Sequence, residues 1–403
     1  MATDSQKRSQ TQAIARLRPV RRSGAHQAFL ASFAGLIALC ALFMILCTGL
    51  SVGVSFWAAP GIALLSAILA VVCCIPYFAI LMWLDRNERE PILLVLSAFA
   101  WGAVMATGIS ALFNDTFQAF STAVLQDEGM AGMLTASISA PFIEETSKAA
   151  ALLAIYLFFH RYFDNVLDGL FYGGMVGLGF ACFENFLYYT TQGSVPEVLV
   201  LAILRGVLTA AGTHICFTAI TGIGFGLFRV LRRGVWRWLL PPAAWMVAML
   251  AHFSWNTFMP FFGNEGDSLG TTLLVSVPAA VVVLQWPFLI AVGVIAVWSS
   301  IHERAIIQKY LRDENGVDPL EVLRLVPWRR RLFHQLKLLF SGRVGQWWRQ
   351  GTRNDRLIRL AFEKWHMDRE TSTGPAQDGQ AHAAEILTLR EELSALKAGN
   401  SPS

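Results

Sequence analysis

Two adjacent glutamates and a lysine interrupt an apolar stretch of the chain, in the segment PFIEETSKAA at 141–150. Glu144 and Lys148 are four residues apart and Glu145 and Lys148 three, so on a helix all three lie on or near one face. A charge in the hydrocarbon of a bilayer costs about 2.5–3.5 kcal/mol. An ion pair explains the lysine and one glutamate. The second carboxylate indicates general acid–base chemistry, because two close carboxylates favour holding one proton between them.

Further ionisable and polar side chains interrupt the next three apolar stretches. Glu184 lies in the segment FENFLY, and His214 follows in the segment GTHICF. His252 and Asn256, in HFSWN, are four residues apart and would share one face of a helix. An ionisable residue inside a membrane is a functional hypothesis by default. The alternative for each residue is a hydrogen-bonded position in the interior of a bundle.

The elements that must position these residues are predicted to be membrane-spanning helices. The chain has 403 residues, of which 55% are hydrophobic and 15% charged, whereas soluble domains carry about 25% charge. A span needs about 20 apolar residues. The sequence therefore predicts an all-α, polytopic membrane helical bundle with about eight transmembrane helices, at approximately 28–50, 61–84, 92–113, 135–159, 166–190, 200–228, 240–262 and 271–299. Glycines in the fifth span (173, 174, 177 and 179) predict close contact with a neighbouring helix.

Basic residues in the predicted loops indicate the orientation of the spans. The N-terminal segment 1–27 is basic, and so are the loops that alternation places on the same side. The loops 114–130, 191–199 and 263–270 contain no lysine or arginine. We therefore expect a multi-pass protein of the cell membrane with both termini in the cytoplasm.

Depth along the predicted spans brings the polar residues to a similar level. At about 1.5 Å per residue, Glu144, Glu145, Glu184 and His252 lie roughly 9–15 Å below the outer boundary. His214 lies near the upper middle of its span. A proton-coupled transporter would distribute such groups across the membrane, so the clustering favours a reaction site. A non-catalytic membrane immunity or binding protein is the other alternative, and it predicts that these residues are lost.

The composition changes near residue 300, which predicts three regions. The tail contains RLFHQLKLLFSGRVGQWWRQ, where basic and apolar residues alternate at roughly helical spacing. This pattern suits an amphipathic helix on the anionic inner leaflet, and it equally suits a small soluble helical domain. A linker is predicted at 371–383, followed by a short helix with Ile386, Leu389, Leu393 and Leu396 on one face. The regions are a basic cytoplasmic N-terminal segment (1–27), a transmembrane domain (28–300) and a helical cytoplasmic tail (301–403).

Four of these motifs together resemble the PrsW family of intramembrane proteases and, more distantly, the type II CAAX prenyl proteases. The motifs are EETSK (144–148), FENFLY (183–188), the His214 segment and HFSWN (252–256), in this order on successive spans. The resemblance implies a membrane peptidase that cleaves a membrane-associated substrate, such as a single-pass anti-sigma factor, near the outer face. It also implies six catalytic residues, namely Glu144, Glu145, Glu184, His214, His252 and Asn256.

One mechanism for such a site uses no metal. Glu144 or Glu145 would take a proton from the attacking water. His252 and Asn256 would donate hydrogen bonds to the oxyanion. His214 would bind the water or protonate the leaving amine. The sequence slightly favours this mechanism.

Zinc is the open alternative, and no other cofactor and no nucleic-acid partner is indicated. His214, His252 and Glu184 would be the ligands, because two histidines and one carboxylate leave one position free for water. The HExxH signature of many zinc proteases is absent. In the CAAX-type relatives a histidine stands where the spacing Phe180-x-x-x-Glu184 ends in glutamate here, so their mechanism does not transfer directly.

Overall fold

The computed structural model describes residues 42, 44–231, 234–263, 267–371 and 379–397. Within these ranges the chain forms helices and turns, without strands. Its described residues divide into two compact units, one within 40–301 and the other within 302–403. The predicted N-terminal segment 1–27 lies outside the described residues.

The first unit is a bundle of apolar helices. The main helices are α1 (Met44–Ala58), α2 (Pro60–Leu84), α3 (Ile92–Leu125), α4 (Ala140–Phe158), α5 (Val166–Thr190), α6 (Ala210–Val230), α7 (Leu240–Phe258) and α8 (Leu269–Leu311). A short helix, Glu128–Leu134, and a π-helical turn, Thr135–Ser139, lead into α4. A second pair of this kind, Val195–Leu201 and Ala202–Leu208, leads towards α6.

Five of these helices are long and apolar enough to cross a membrane, which confirms the all-α membrane bundle but not the count of eight spans. They are Pro60–Leu84, Ile92–Leu125, Val166–Thr190, Val195–Val230 and Leu269–Leu311. Helix α4 is not among them because it contains three charged residues within five positions. Helix α7 is not among them because its two prolines, His252 and Asn256 lower its hydropathy. The protein is an integral membrane protein.

Several predicted loop boundaries are wrong. The predicted loop 114–130 is helical as far as Leu125, and the predicted gap 51–60 is largely helix α1. Asn114 stays within a helix because its side-chain oxygen accepts a hydrogen bond from the Ser139 hydroxyl, at 2.8 Å. Most of the predicted span 28–50 lies outside the described residues.

Helix α5 lies at the centre of the bundle. In its most apolar stretch 89% of the residues are buried, against 17% for α8. A Cβ atom added at Gly173 or Gly177 would overlap the backbone carbonyl of Thr218 or His214 on α6. The predicted close contact of the α5 glycines is confirmed, and it holds His214 directly against α5.

The second unit has its own apolar core. Ile307 and Leu311, at the end of α8, pack with side chains from the helices that follow, including Leu360 and Leu389. The predicted terminal helix is confirmed, with Ile386, Leu389 and Leu393 buried. The predicted linker 371–383 is too long because helix begins again at Gly379, and 372–378 lie outside the described residues. The further helices are α9 (Pro319–Leu325), α10 (Trp328–Phe340), α11 (Val344–Thr371) and α12 (Gly379–Lys397).

Candidate active site

Lys148 lies at the centre of a buried polar cluster. Its Nζ atom is 2.9 Å from Glu145 Oε1 and 3.3 Å from Glu144 Oε2, one turn earlier on α4. Nζ is also 3.2 Å from Nδ1 of His214 on α6. The ring of Phe180 on α5 covers it, with 3.6 Å between Nζ and the ring centroid. The lysine side chain is completely buried, so its charge is balanced inside the bundle rather than by water.

Glu145 is the fully engaged carboxylate of the pair. Its Oε1 accepts a hydrogen bond from Lys148 and lies 3.1 Å from His252 Nδ1, while Oε2 accepts from the Thr218 hydroxyl at 3.5 Å. A proton on His252 Nδ1 therefore leaves Nε2 as an acceptor, 3.9 Å from Glu144 Oε2. Within the described residues, the Glu144 carboxylate accepts only the longer hydrogen bond from Lys148. Glu144 is thus the carboxylate with spare acceptor capacity.

Glu184 forms the other end of the cluster with an arginine. Its Oε2 lies 3.0 Å from His214 Nε2 and 2.6 Å from Arg205 Nη2. The guanidinium also donates from Nε to Asn185 Oδ1 at 3.2 Å and lies 3.8 Å above the ring of Tyr188. Glu184 and Arg205 side chains are 17% and 23% exposed, whereas the α4 carboxylates are almost completely buried. The Arg205–Glu184 pair therefore marks the accessible end of the cluster.

Two π-helical turns lie beside the cluster, one containing Arg205 and one leading into α4. Arg205 lies in the π turn Ala202–Leu208, after which Thr209 leaves helical geometry with φ −128° and ψ −73°. The π turn Thr135–Ser139 enters α4, and its Ala136 carbonyl accepts a hydrogen bond from Asn256 Nδ2 at 2.8 Å. Such turns are frequent at functional sites because they redirect side chains and release backbone carbonyls.

The structure brings five of the six predicted site residues into one cluster. The sixth, Asn256, uses its amide on the Ala136 carbonyl, so its predicted oxyanion role would require this hydrogen bond to open. The catalytic roles themselves stay predictions. The five clustered residues are Glu144, Glu145, Glu184, His214 and His252.

The donors suited to a metal differ from the predicted set. The structure places donor atoms of Glu144, Glu145, His214 and His252 within 4.8 Å of one another. The predicted ligand trio named Glu184 in place of the α4 carboxylates, but Glu184 is engaged by Arg205. Two histidines with carboxylates are zinc-type ligands.

The centre of that donor group is nevertheless taken by the lysine. The Lys148 ammonium contacts three of the four donors, at 2.9–3.3 Å. A divalent ion held by all four would lie beside this buried positive charge, and like charges repel strongly in a buried site of low dielectric. The residues therefore suit a metal in type but do not fit one in this arrangement.

Three contributors to the cluster were not identified as site residues from the sequence. The sequence does indicate a role for Arg205, because an arginine within an apolar stretch needs a partner. It also indicates Phe180, which is the first residue of the F-x-x-x-E spacing. It does not indicate Thr218, since a hydroxyl in a membrane helix commonly bonds to its own backbone.

Comparison with known proteins identifies relatives of the bundle. The family model described as "PrsW family intramembrane metalloprotease" matches residues 90–299 of this chain. This range contains every site residue named above. A protein named Protease PrsW from Geobacillus kaustophilus is 31% identical over 219 residues, covering 52% of this chain and 84% of the relative. A protein of that name from Bacillus subtilis is 35% identical, covering 36% of this chain and 57% of the relative. Another from Clostridioides difficile is 28% identical, covering 38% of this chain and 63% of the relative. No solved structure matches the chain.

Proposed function

Since the chain belongs to the PrsW family of intramembrane proteases, we propose that it hydrolyses a peptide bond of a membrane protein with a water that Glu144 activates. The observation that carries this proposal is the difference between the two adjacent glutamates. Glu145 accepts from Lys148, His252 and Thr218, whereas Glu144 accepts one long bond from Lys148. A general base needs an oxygen that is free to accept the proton of its water.

Glu144 and His252 face each other at a distance that suits one shared water. Their Oε2 and Nε2 atoms are 3.9 Å apart, and a water can hydrogen-bond both at about 2.7–3.0 Å. Glu144 takes one proton from this water, and the hydroxide attacks the carbonyl carbon of the substrate. The C–N bond then breaks, and the proton on Glu144 passes to the leaving amine.

The charges of the cluster support Glu144 as the proton acceptor. Three carboxylates, of Glu144, Glu145 and Glu184, face two fixed cations, Lys148 and Arg205. With neutral histidines the cluster carries more negative than positive charge, and proton transfer to Glu144 moves this excess charge onto the attacking hydroxide. Excess negative charge around Glu144 favours its protonated form.

Glu145 and Lys148 act as positioning residues in this proposal. Glu145 accepts from His252 Nδ1, which fixes the ring and leaves Nε2 towards Glu144. A carboxylate that orients a histidine through its second nitrogen is a recurrent arrangement in hydrolases. Lys148 holds both glutamates at 2.9 and 3.3 Å and prevents their mutual repulsion.

A metal-dependent hydrolase is the second candidate. The family description and the four donor atoms within 4.8 Å favour it. It requires Lys148 to leave the centre of the donors. Metal analysis of the purified protein separates the candidates: one tightly held equivalent, lost together with activity on chelation, supports the metal site. Activity that survives complete removal of metal supports the lysine-centred site.

The substrate we propose is a single-pass membrane protein of the anti-sigma-factor type, cut near the outer face. Support comes from a site inside a membrane bundle whose accessible end is the Arg205–Glu184 pair. The basic N-terminal segment and basic loops of the sequence support cytoplasmic termini.

Cleavage in cells tests the proposed base. The full protein is co-expressed with a panel of single-pass substrates carrying a reporter, as wild type and as Glu144→Gln, His252→Ala and Glu128→Gln. Glu128 is exposed in the same unit and serves as the matched control. We expect cleavage by wild type and Glu128→Gln, and none by the two site variants at equal membrane levels. Undiminished cleavage by Glu144→Gln would remove it as the base.

A further inference from the structure

The exposed apolar surface of the second unit is concentrated in one stretch of chain. From His302 onwards, the large apolar side chains that are exposed in the described residues fall within 320–348, with Leu387 as the exception. Phe333, Phe340 and Trp348 are 71%, 83% and 68% exposed. Apolar area left in water forgoes about 25 cal/mol per Å². A concentrated apolar patch therefore indicates an interaction surface.

The same stretch is rich in positive charge and contains no acidic residue of its own. Residues 328–349 contain five arginines and one lysine, and no aspartate or glutamate. In the described structure, no carboxylate lies within ion-pair distance of Arg329, Arg330, Lys337, Arg343 or Arg349. Several cations elsewhere in the unit are paired, such as Arg353 with Glu321, Arg356 with Glu392 and Arg359 with Glu385.

We propose that residues 328–349, here named the basic–aromatic surface, dock on an anionic lipid leaflet. Exposed aromatic and aliphatic side chains enter the region between headgroups and acyl chains, and the flanking cations contact headgroup phosphates. This surface follows the membrane-capable helix Leu269–Leu311 in the same chain, so it is tethered to a protein that lies in a bilayer. A second copy is a poor occupant, because two surfaces with six cations and no acid repel each other.

A neighbouring cavity is suited to a headgroup. It has a volume of about 410 Å³, and Arg324, Arg330 and Arg331 are among its lining residues. The two carboxylates at this cavity already have partners: Glu321 binds Arg353, and Asp318 accepts from the Leu320 amide. No carboxylate of the described residues lies within ion-pair distance of Arg324 or Arg330, so these two cations remain available to a phosphate.

Spin-label accessibility on the full chain tests the docking. The protein is placed at one copy per nanodisc, in phosphatidylcholine alone or mixed with phosphatidylglycerol, with its native cysteines replaced. Labels are attached at Phe333→Cys or Phe340→Cys, with Leu387→Cys as the matched exposed control. With phosphatidylglycerol we expect the labels at 333 and 340 to lose contact with an aqueous nickel reagent and gain contact with oxygen. The control label stays in water.

Replacing cations of the basic–aromatic surface by glutamine tests whether charge drives the docking. Each cation near an anionic surface contributes roughly a fivefold factor to binding. The combined change of Arg329, Arg330 and Lys337 to Gln should therefore lower the ratio of docked to undocked tail by roughly a hundredfold. Cleavage of substrate checks that these variants are folded. Labels at 333 and 340 that stay water-accessible with phosphatidylglycerol would overturn the proposal. Equal protection in both lipids, or protection only with several copies per disc, would also overturn it.

Discussion

Each unit of the protein places buried glutamate beside lysine, and the two clusters balance their charges in opposite ways. In the second unit a single carboxylate, Glu314, faces two cations. Lys364 Nζ lies 2.8 Å from its Oε2, and Arg390 donates from Nε and Nη2 at 2.6 and 3.0 Å. In the membrane unit a single cation, Lys148, faces two carboxylates at 2.9 and 3.3 Å.

The difference separates a structural ion pair from a reactive cluster. Both oxygens of Glu314 accept bonds from fixed cations on α11 and α12. Burial of the carboxyl raises the Glu314 pKa, but the hydrogen bonds from Arg390 and Lys364 outweigh it and hold the pKa below its ordinary value. Such a carboxylate keeps its charge at neutral pH. Glu144 instead has an oxygen without such a partner, so it is able to gain and lose a proton.

The sharpest test of the comparison is the same substitution in both clusters. Glu144→Gln removes the proposed base, and we expect the rate of substrate cleavage to fall by about 10²–10⁴-fold. Glu314→Gln should leave the rate unchanged because Glu314 has a structural role. Cleavage of a purified reporter substrate in proteoliposomes measures both. Equal rates for the two variants would abolish the distinction between the clusters.

The sequence predicted which residues lie together, from a shared helix face and a similar depth, but it did not predict the individual contacts where helices meet. The spacing of Glu144, Glu145 and Lys148 fixes their common face because 3.6 residues complete a turn. The Arg205–Glu184 pair and the Asn256–Ala136 bond depend on the rotation of one helix against another, which residue spacing does not determine. The predicted count of eight spans is not confirmed for a related reason: charges in α4 lower its hydropathy, while the bundle satisfies them.

The lysines of the two clusters should differ in their effect on stability. Lys148→Met leaves two adjacent buried carboxylates, and loss of one partner of a buried ion pair costs about 3–5 kcal/mol. Lys364→Met leaves Glu314 with Arg390, so we expect the loss of one charged hydrogen bond, about 1.5–3 kcal/mol. Thermal unfolding in micelles, followed by limited proteolysis that distinguishes the units, gives both values. A larger loss for Lys364→Met would contradict the assigned roles.

Acid should weaken the second unit through Glu314. Its pKa is lowered by folding, so the stabilisation is present above the unfolded pKa of about 4.3 and is lost as pH falls through the folded value. We expect a decrease on the order of 1 kcal/mol or less, given the screening by solvent. Hydrogen exchange of α12 amides from neutral to acid pH, corrected for intrinsic rates, measures it. Glu314→Gln is the control and should remove this part of the pH dependence.

The smallest expected effect concerns Asn256, which lies outside both kinds of charge cluster. Its amide donates to the Ala136 carbonyl, and an interhelical hydrogen bond in a membrane protein contributes about 0.6 kcal/mol on average. Asn256→Ala should therefore lower the unfolding free energy by about that amount and the cleavage rate by less than about tenfold. Loss of an oxyanion donor would instead cost about 10²–10³-fold in kcat. A decrease of that size, with stability retained, would assign Asn256 to the reacting carbonyl and extend the reactive cluster beyond its charged residues.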